Sequence, residues 1–152
     1  MSRVKRLFRL VNIVVARLSE TPLHRLFSHQ VLVLRFVGRR SGKRYAIPVS
    51  YLVADDSTQT LHCMTDISGV WWKNLIQAGA IEVSWKGKRR PAGVEVVQAN
   101  PEAIQNALSA FCQASAISAF FAGVKMVSGT PDPETLATAA AKHVLIQLNP
   151  SL

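Results

Sequence analysis

Arg35-Phe36-Val37-Gly38-Arg39-Arg40-Ser41-Gly42-Lys43-Arg44-Tyr45-Ala46-Ile47-Pro48 joins two apolar runs through a turn dense in glycine and positive charge. Upstream, Val31 to Val37 is rich in branched residues and predicts a strand. Downstream, Tyr45, Ile47, Val49, Tyr51 and Val53 alternate with smaller or polar residues, a period of two that predicts a second strand. Between them, glycine gives access to left-handed backbone, so successive N–H groups can converge on one anion. Arg39, Arg40, Lys43 and Arg44 add fixed positive charge, and arginine binds a phosphate bidentately. The hairpin therefore reads as a phosphate or carboxylate site, against the plainer reading of a solvated charged turn. Pro48 cannot donate to a strand ladder, so it is expected at an edge, at a bulge or facing a ligand.

The rest of the chain repeats the strand-and-turn rhythm. Asp55-Asp56-Ser57-Thr58 is a turn, and Thr60 to Thr65 predicts a third strand. In Asp66 to Gly79, Ser68 is expected to cap a short helix and Gly79 to close it. Ile81, Val83 and Trp85 alternate with polar residues in a fourth strand, Lys86-Gly87-Lys88 is a hairpin tip, and Arg89 to Val97 predicts a fifth. Asn100-Pro101-Glu102 combines an N-cap, a first-turn proline and an acid at the positive helix end, so a helix should run to about Cys112. Ala116 to Lys125 predicts a second helix. Asp132-Pro133-Glu134 starts a third, and Val144, Ile146 and Leu148 mark a last strand.

Strands joined by short turns are antiparallel neighbours. The expected fold is α+β: about six mainly antiparallel strands in a closed or partly closed barrel, with helices packed outside. No repeat or linker divides the chain. One domain over residues 1–152 is expected, with a helical segment at 1–28, barrel strands at 30–99, a helical block at 100–141 and a final strand at 142–149.

Composition agrees with a globular domain, 49% hydrophobic and 18% charged. The net charge of +9 draws nucleic acid, anionic lipid or an acidic small ligand. The basic turns carry no interleaved aromatics, which argues against single-strand nucleic-acid binding. Cys63 and Cys112 read as two buried thiols, and the four histidines, His24, His29, His62 and His143, show no metal spacing. In residues 3–18, Val4, Leu7, Phe8, Val11, Val14, Val15 and Leu18 recur at helical spacing, with arginines elsewhere on the wheel. That helix either packs on the domain or lies on an anionic membrane surface. Arg17 interrupts any signal-type apolar run, so the expected location is cytoplasmic, with peripheral attachment to the inner membrane face as the variant.

Two blocks together carry a family resemblance. One is Gly38-Arg39-Arg40-Ser41-Gly42-Lys43-Arg44, with Pro48 and the Tyr51-Leu52 strand after it. The other is Trp71-Trp72-Lys73-Asn74-Leu75, then Ala78-Gly79 and Ile81-Glu82-Val83. In this order and spacing they resemble the deazaflavin-dependent nitroreductase family of split β-barrel oxidoreductases. The resemblance implies that barrel and coenzyme F420, an 8-hydroxy-5-deazaflavin with a phosphate and an acidic tail. It implies that Arg39, Arg40, Ser41, Gly42 and Lys43 contact phosphate and tail. It also implies that Pro48 lines the ring, and that Trp71 and Trp72 open a helix beside the phosphate. The implied reaction is hydride transfer to a small-molecule acceptor such as a quinone, enone or nitro compound. Tyr45, Tyr51 and Ser50 are the candidate proton donors or substrate contacts, weighed against plain strand packing. By analogy a homodimer is expected. The alternative is a split barrel that binds FMN or haem, or binds without turnover. Asp66 favours it, because an acid facing inward would repel an acidic coenzyme.

Overall fold

Leu32, Leu34 and Phe36 alternate with Val33, Arg35 and Val37 along Val31–Val37 (β1), and the three apolar side chains face a closed interior. The computed structural model describes residues 31–151. In it β1 is followed by Arg44–Asp55 (β2), Thr60–Asp66 (β3), a 3₁₀ helix at Trp71–Leu75, Ala80–Trp85 (β4) and Lys88–Val97 (β5). Helices Pro101–Ala114 (α1) and Ala116–Ala122 (α2) come next. Met126–Val127 (β6), Thr130–Pro131 (β7), Pro133–Ala140 (α3) and His143–Pro150 (β8) complete the order.

Six strands close into a barrel in the order β1-β2-β3-β8-β5-β4, and every neighbouring pair is antiparallel. Closure follows from the sequence pattern. Each strand offers one apolar face, and wrapping the sheet on itself buries that face and gives every strand a neighbour on both sides over part of its length. Leu61, Val83, Ile146 and Leu148 meet Leu32 and Leu34 inside with no exposed surface. Each such side chain contributes about 1.5–3 kcal/mol on burial. Trp72 and Leu75 of the 3₁₀ helix enter the same core.

A second core lies outside the barrel. Ile104, Ala107, Leu108 and Cys112 of α1 pack with Ala119 of α2, Ala139 and Ala140 of α3, and Leu145 on the outer face of β8. The helix starts form as the sequence predicts. Asn100 Oδ1 accepts from Ala103 N–H at 3.1 Å and Asp132 Oδ2 from Thr135 N–H at 3.0 Å. Both cysteines are buried and free, and burial pushes both thiols above their ordinary pKa.

Three details depart from the sequence reading. Ser68 does not cap the short helix. Its N–H donates to Asp66 Oδ1 at 2.8 Å, and Val70 stands at the N-cap with no side-chain bond. That helix is one 3₁₀ turn, and Gly79 instead bends the chain into β4 with φ +70°. The second helix stops at Ala122, because Gly123 turns left-handed, and the unforeseen β6–β7 hairpin follows. Ser128 and Gly129 form its tip, both at positive φ, as a two-residue hairpin loop requires. Pro48 meets the edge expectation: it pairs with Val33 of β1 on one side, while the β2–β3 register runs only from Tyr51 to Asp55 and gives it no partner on the other. The helix expected over residues 3–18 and the turn at Leu23–Phe27 lie outside the described residues.

Candidate functional site

The β1–β2 turn is built by its own short bonds. Gly38 N–H donates to Lys43 O at 2.8 Å, and Gly42 N–H to Gly38 O at 2.9 Å. Lys43 N–H donates to Ser41 Oγ at 3.2 Å. Gly42 adopts φ +66°, open to glycine at little cost. Gly38 is needed for a different reason. A Cβ there would lie 2.6 Å from Ser41 Oγ and 2.8 Å from Tyr45 Cε2.

A single side chain ties this turn to the second motif. Asn74 Oδ1 accepts from Arg39 N–H at 2.9 Å, while Asn74 Nδ2 donates to Trp71 O at 2.9 Å. The two blocks, far apart in sequence, thus enclose one cavity of about 350 Å³. Gly38, Arg39, Arg40, Ser41 and Tyr45 form one wall, and Val70, Lys73 and Asn74 the other. Among the described residues three cations and no acid line it. Val70 is 71% exposed at its rim. Below, Tyr45 stacks on Phe36 with centroids 5.7 Å apart, and Phe36 on Trp71 at 6.3 Å. That aromatic layer joins turn, strand and helix. Tyr45 also walls a neighbouring cavity of about 410 Å³ that gathers Arg35, Arg44 and Arg89 around Glu82. There Arg35 Nε donates to Ser84 Oγ at 2.8 Å, and Arg89 pairs with Glu82 at 3.8 Å.

The other sequence candidates divide. Arg39, Arg40, Ser41 and Tyr45 line the cationic cavity, while Gly42 and Lys43 shape its turn through backbone bonds. Trp71 underlies it through Phe36, but Trp72 is 3% exposed inside the barrel, with its indole N–H unpaired. Pro48 and Ser50 belong to the outer face of β2, since their partners on β1 are Val33 and Val31. Ser50 lines a separate cavity with Asp66 and His143. Tyr51 is 5% exposed and meets Trp85 edge-on at 6.3 Å. Burial raises its phenol above the ordinary value, offset only in part by the Trp85 indole, whose Nε1–H reaches no acceptor in good geometry. Tyr51 is placed as a packing residue.

Asp66 stands away from the cationic cavity. Hydrogen bonds from the Ser68 hydroxyl and backbone N–H hold its carboxyl below the usual range, and it pairs across the ladder with His143. The second basic tip folds back on itself in part. Lys86 Nζ lies 4.6 Å and Arg90 Cζ 5.4 Å from the Trp85 ring centroid. Phe120 is 79% exposed on α2. Among the described residues no group of three or more His, Cys, Asp or Glu side chains gathers as a metal site. No helix there is long and apolar enough to cross a membrane.

Lys73 and Asn74 were legible as members of a motif, but not in these roles. Their signal was position: one helical turn after Val70, both fall on the side that meets the basic turn.

No family model and no curated protein sequence matches the chain. Solved structures do. A pyridoxamine 5'-phosphate oxidase-related, FMN-binding protein from Nostoc punctiforme matches at TM-score 0.59 and 17% identity, over 91% of this chain and 78% of that one. A chain described as a domain-swapped dimer matches at TM-score 0.53 and 11% identity, covering 97% and 99%. A chain described as an F420 reductase matches at TM-score 0.45 and 14% identity, covering 90% and 92%, too distant to carry weight. At these identities the likeness defines the fold. The protein is an α+β split β-barrel, with the architecture of FMN-binding, pyridoxamine oxidase-related proteins.

Proposed function

We propose that the protein is an oxidoreductase that uses a deazaflavin coenzyme of the F420 type and passes a hydride to a small acceptor such as a quinone, enone or nitro compound. One observation carries this reading. The bond from Arg39 N–H to Asn74 Oδ1 makes a single cationic cavity from the two sequence blocks that resemble the deazaflavin family.

The residues fit a phosphate-bearing coenzyme. Gly38 lets Ser41 and Tyr45 close over the turn, and the Arg39 and Arg40 guanidinium groups suit a phosphate bidentately. Lys73 adds a third charge from the opposite wall. The arginines at the neighbouring cavity extend positive potential toward an acidic tail. Asp66 removes no charge from this surface, because Ser68 holds it elsewhere. When bound in its reduced form, such a coenzyme would supply a hydride, which carries both electrons; the protein would supply position and field. Tyr45 is the proton-donor candidate that reaches the cavity, its hydroxyl 3.4 Å from Ser41 Oγ. It is assigned to orient the ligand or to deliver a proton to the reduced acceptor.

FMN is the second reading of the same cavity, favoured by the FMN-binding description of the Nostoc punctiforme protein. The domain-swapped neighbour motivates a homodimer as the assembly. The test is turnover: reduced deazaflavin coenzyme with a quinone, followed by loss of the reduced-coenzyme absorbance. Oxidation that depends on the protein and falls with Arg39→Ala supports the proposal. Turnover with reduced FMN alone would replace it.

A further inference from the structure

A second, larger cavity of about 900 Å³ lies between α1 and the outer face of the barrel, sharing no residue with the cationic one. Its barrel side is a row across three strands. His62 on β3 pairs with Gln147 on β8, and Gln147 pairs with Glu95 on β5, so the three side chains stand abreast on one face. Its helix side is Ala103, Asn106, Ala107 and Ala110 of α1. Leu145 lies between them as an apolar floor.

Charge sets this cavity apart. The chain holds 18 Lys and Arg residues against 9 Asp and Glu, yet among the described residues no Lys or Arg lines this space and Glu95 is its one acidic side chain. Glu95 has no cationic partner among the described residues. Burial holds the His62 imidazole below its ordinary pKa, so beside Gln147 it is a neutral hydrogen-bonding group. Anions are thus disfavoured where the rest of the surface attracts them. A cationic head gains a carboxylate, two neutral partners and an apolar bed for its body.

We propose that the groove between α1 and the His62–Gln147–Glu95 row is a binding site for an amphipathic organic amine, with its ammonium at Glu95 and its apolar body against the α1 alanines. The site is independent of the coenzyme cavity and of its chemistry.

The test uses the full chain with tryptamine as probe and indole-3-acetate as its carboxylate counterpart, followed by amide chemical shifts. Saturable tryptamine shifts at Glu95, Val97, Ala107 and Gln147 are expected, with no such response to indole-3-acetate. Glu95→Gln should weaken tryptamine about tenfold. Ala110→Trp, at an exposed position, should fill the groove and abolish the response. Absence of tryptamine binding, equal binding of indole-3-acetate, undiminished binding by Glu95→Gln, or shifts confined to Gly38–Lys43 and Lys73 would each overturn the proposal.

Discussion

Arg39 N–H donates to Asn74 Oδ1 at 2.9 Å across 35 positions of sequence, and this one bond holds the basic turn against the 3₁₀ helix. Asn74→Ala removes the acceptor and also frees the Trp71 carbonyl. A stability loss of about 1 kcal/mol is expected, the usual net value of a hydrogen bond. Phosphate or coenzyme affinity should fall about tenfold. Asn74→Asp separates the two effects. It keeps an acceptor for Arg39, loses the donor to the Trp71 carbonyl as Asn74→Ala does, and places a negative charge in the cationic cavity, so thermal stability should fall about as far as in Asn74→Ala while anion binding is lost outright. Calorimetric titration beside a melting curve reads both, and parallel losses in both variants would show that Asn74 is structural only.

Gly38→Ala tests whether close packing shapes the turn. The new methyl would meet Ser41 Oγ at 2.6 Å and the Tyr45 ring at 2.8 Å, and Tyr45 is fixed against Phe36. Overpacking of this kind costs about 1–3 kcal/mol. Urea unfolding should show that loss in the midpoint with an unchanged slope. A variant as stable as the parent would mean that the turn relaxes freely.

His62 makes stability depend on pH. Its folded pKa is lowered by burial, so below the ordinary histidine value the unfolded chain binds the extra proton. Stability from this group is complete above about pH 6.5, the unperturbed value, and declines as pH falls toward the folded pKa. Denaturation midpoints between pH 7.5 and 5.5 should fall with acid, and His62→Gln should flatten that slope. An unchanged slope would assign it to other groups.

Asp66 acts lower on the scale with the same sign. Its folded pKa is depressed by the Ser68 bonds, so its contribution is present above the unfolded carboxylate pKa and is lost as pH falls through the folded value. Asp66→Asn should leave anion affinity at the cationic cavity unchanged, because Asp66 lines a different one. A marked gain in affinity would place its charge within reach of the ligand.

Much of the barrel was legible because alternation is a local signal. Tyr45, Ile47, Val49 and Tyr51 showed a two-residue period, and the Asn100 and Asp132 starts follow side-chain chemistry within one turn. Features set by distant contacts were not legible. The Asn74 clamp depends on a partner 35 positions away, and the His62–Gln147–Glu95 row exists only once β8 inserts between β3 and β5. Ser68 misled because Asp66, two positions earlier, engages both its hydroxyl and its N–H in a turn, and the helix starts only after Val70.

The most direct test is a fluorescence titration of the purified protein with F420-type deazaflavin coenzyme, and with FMN in parallel. Saturable deazaflavin binding that weakens at least tenfold in Arg39→Ala and in Lys73→Ala is the expected result, since both side chains line the cavity made by the two motifs. FMN binding with no response to deazaflavin would contradict the proposed coenzyme, and would leave the split barrel as the scaffold of a different flavoprotein.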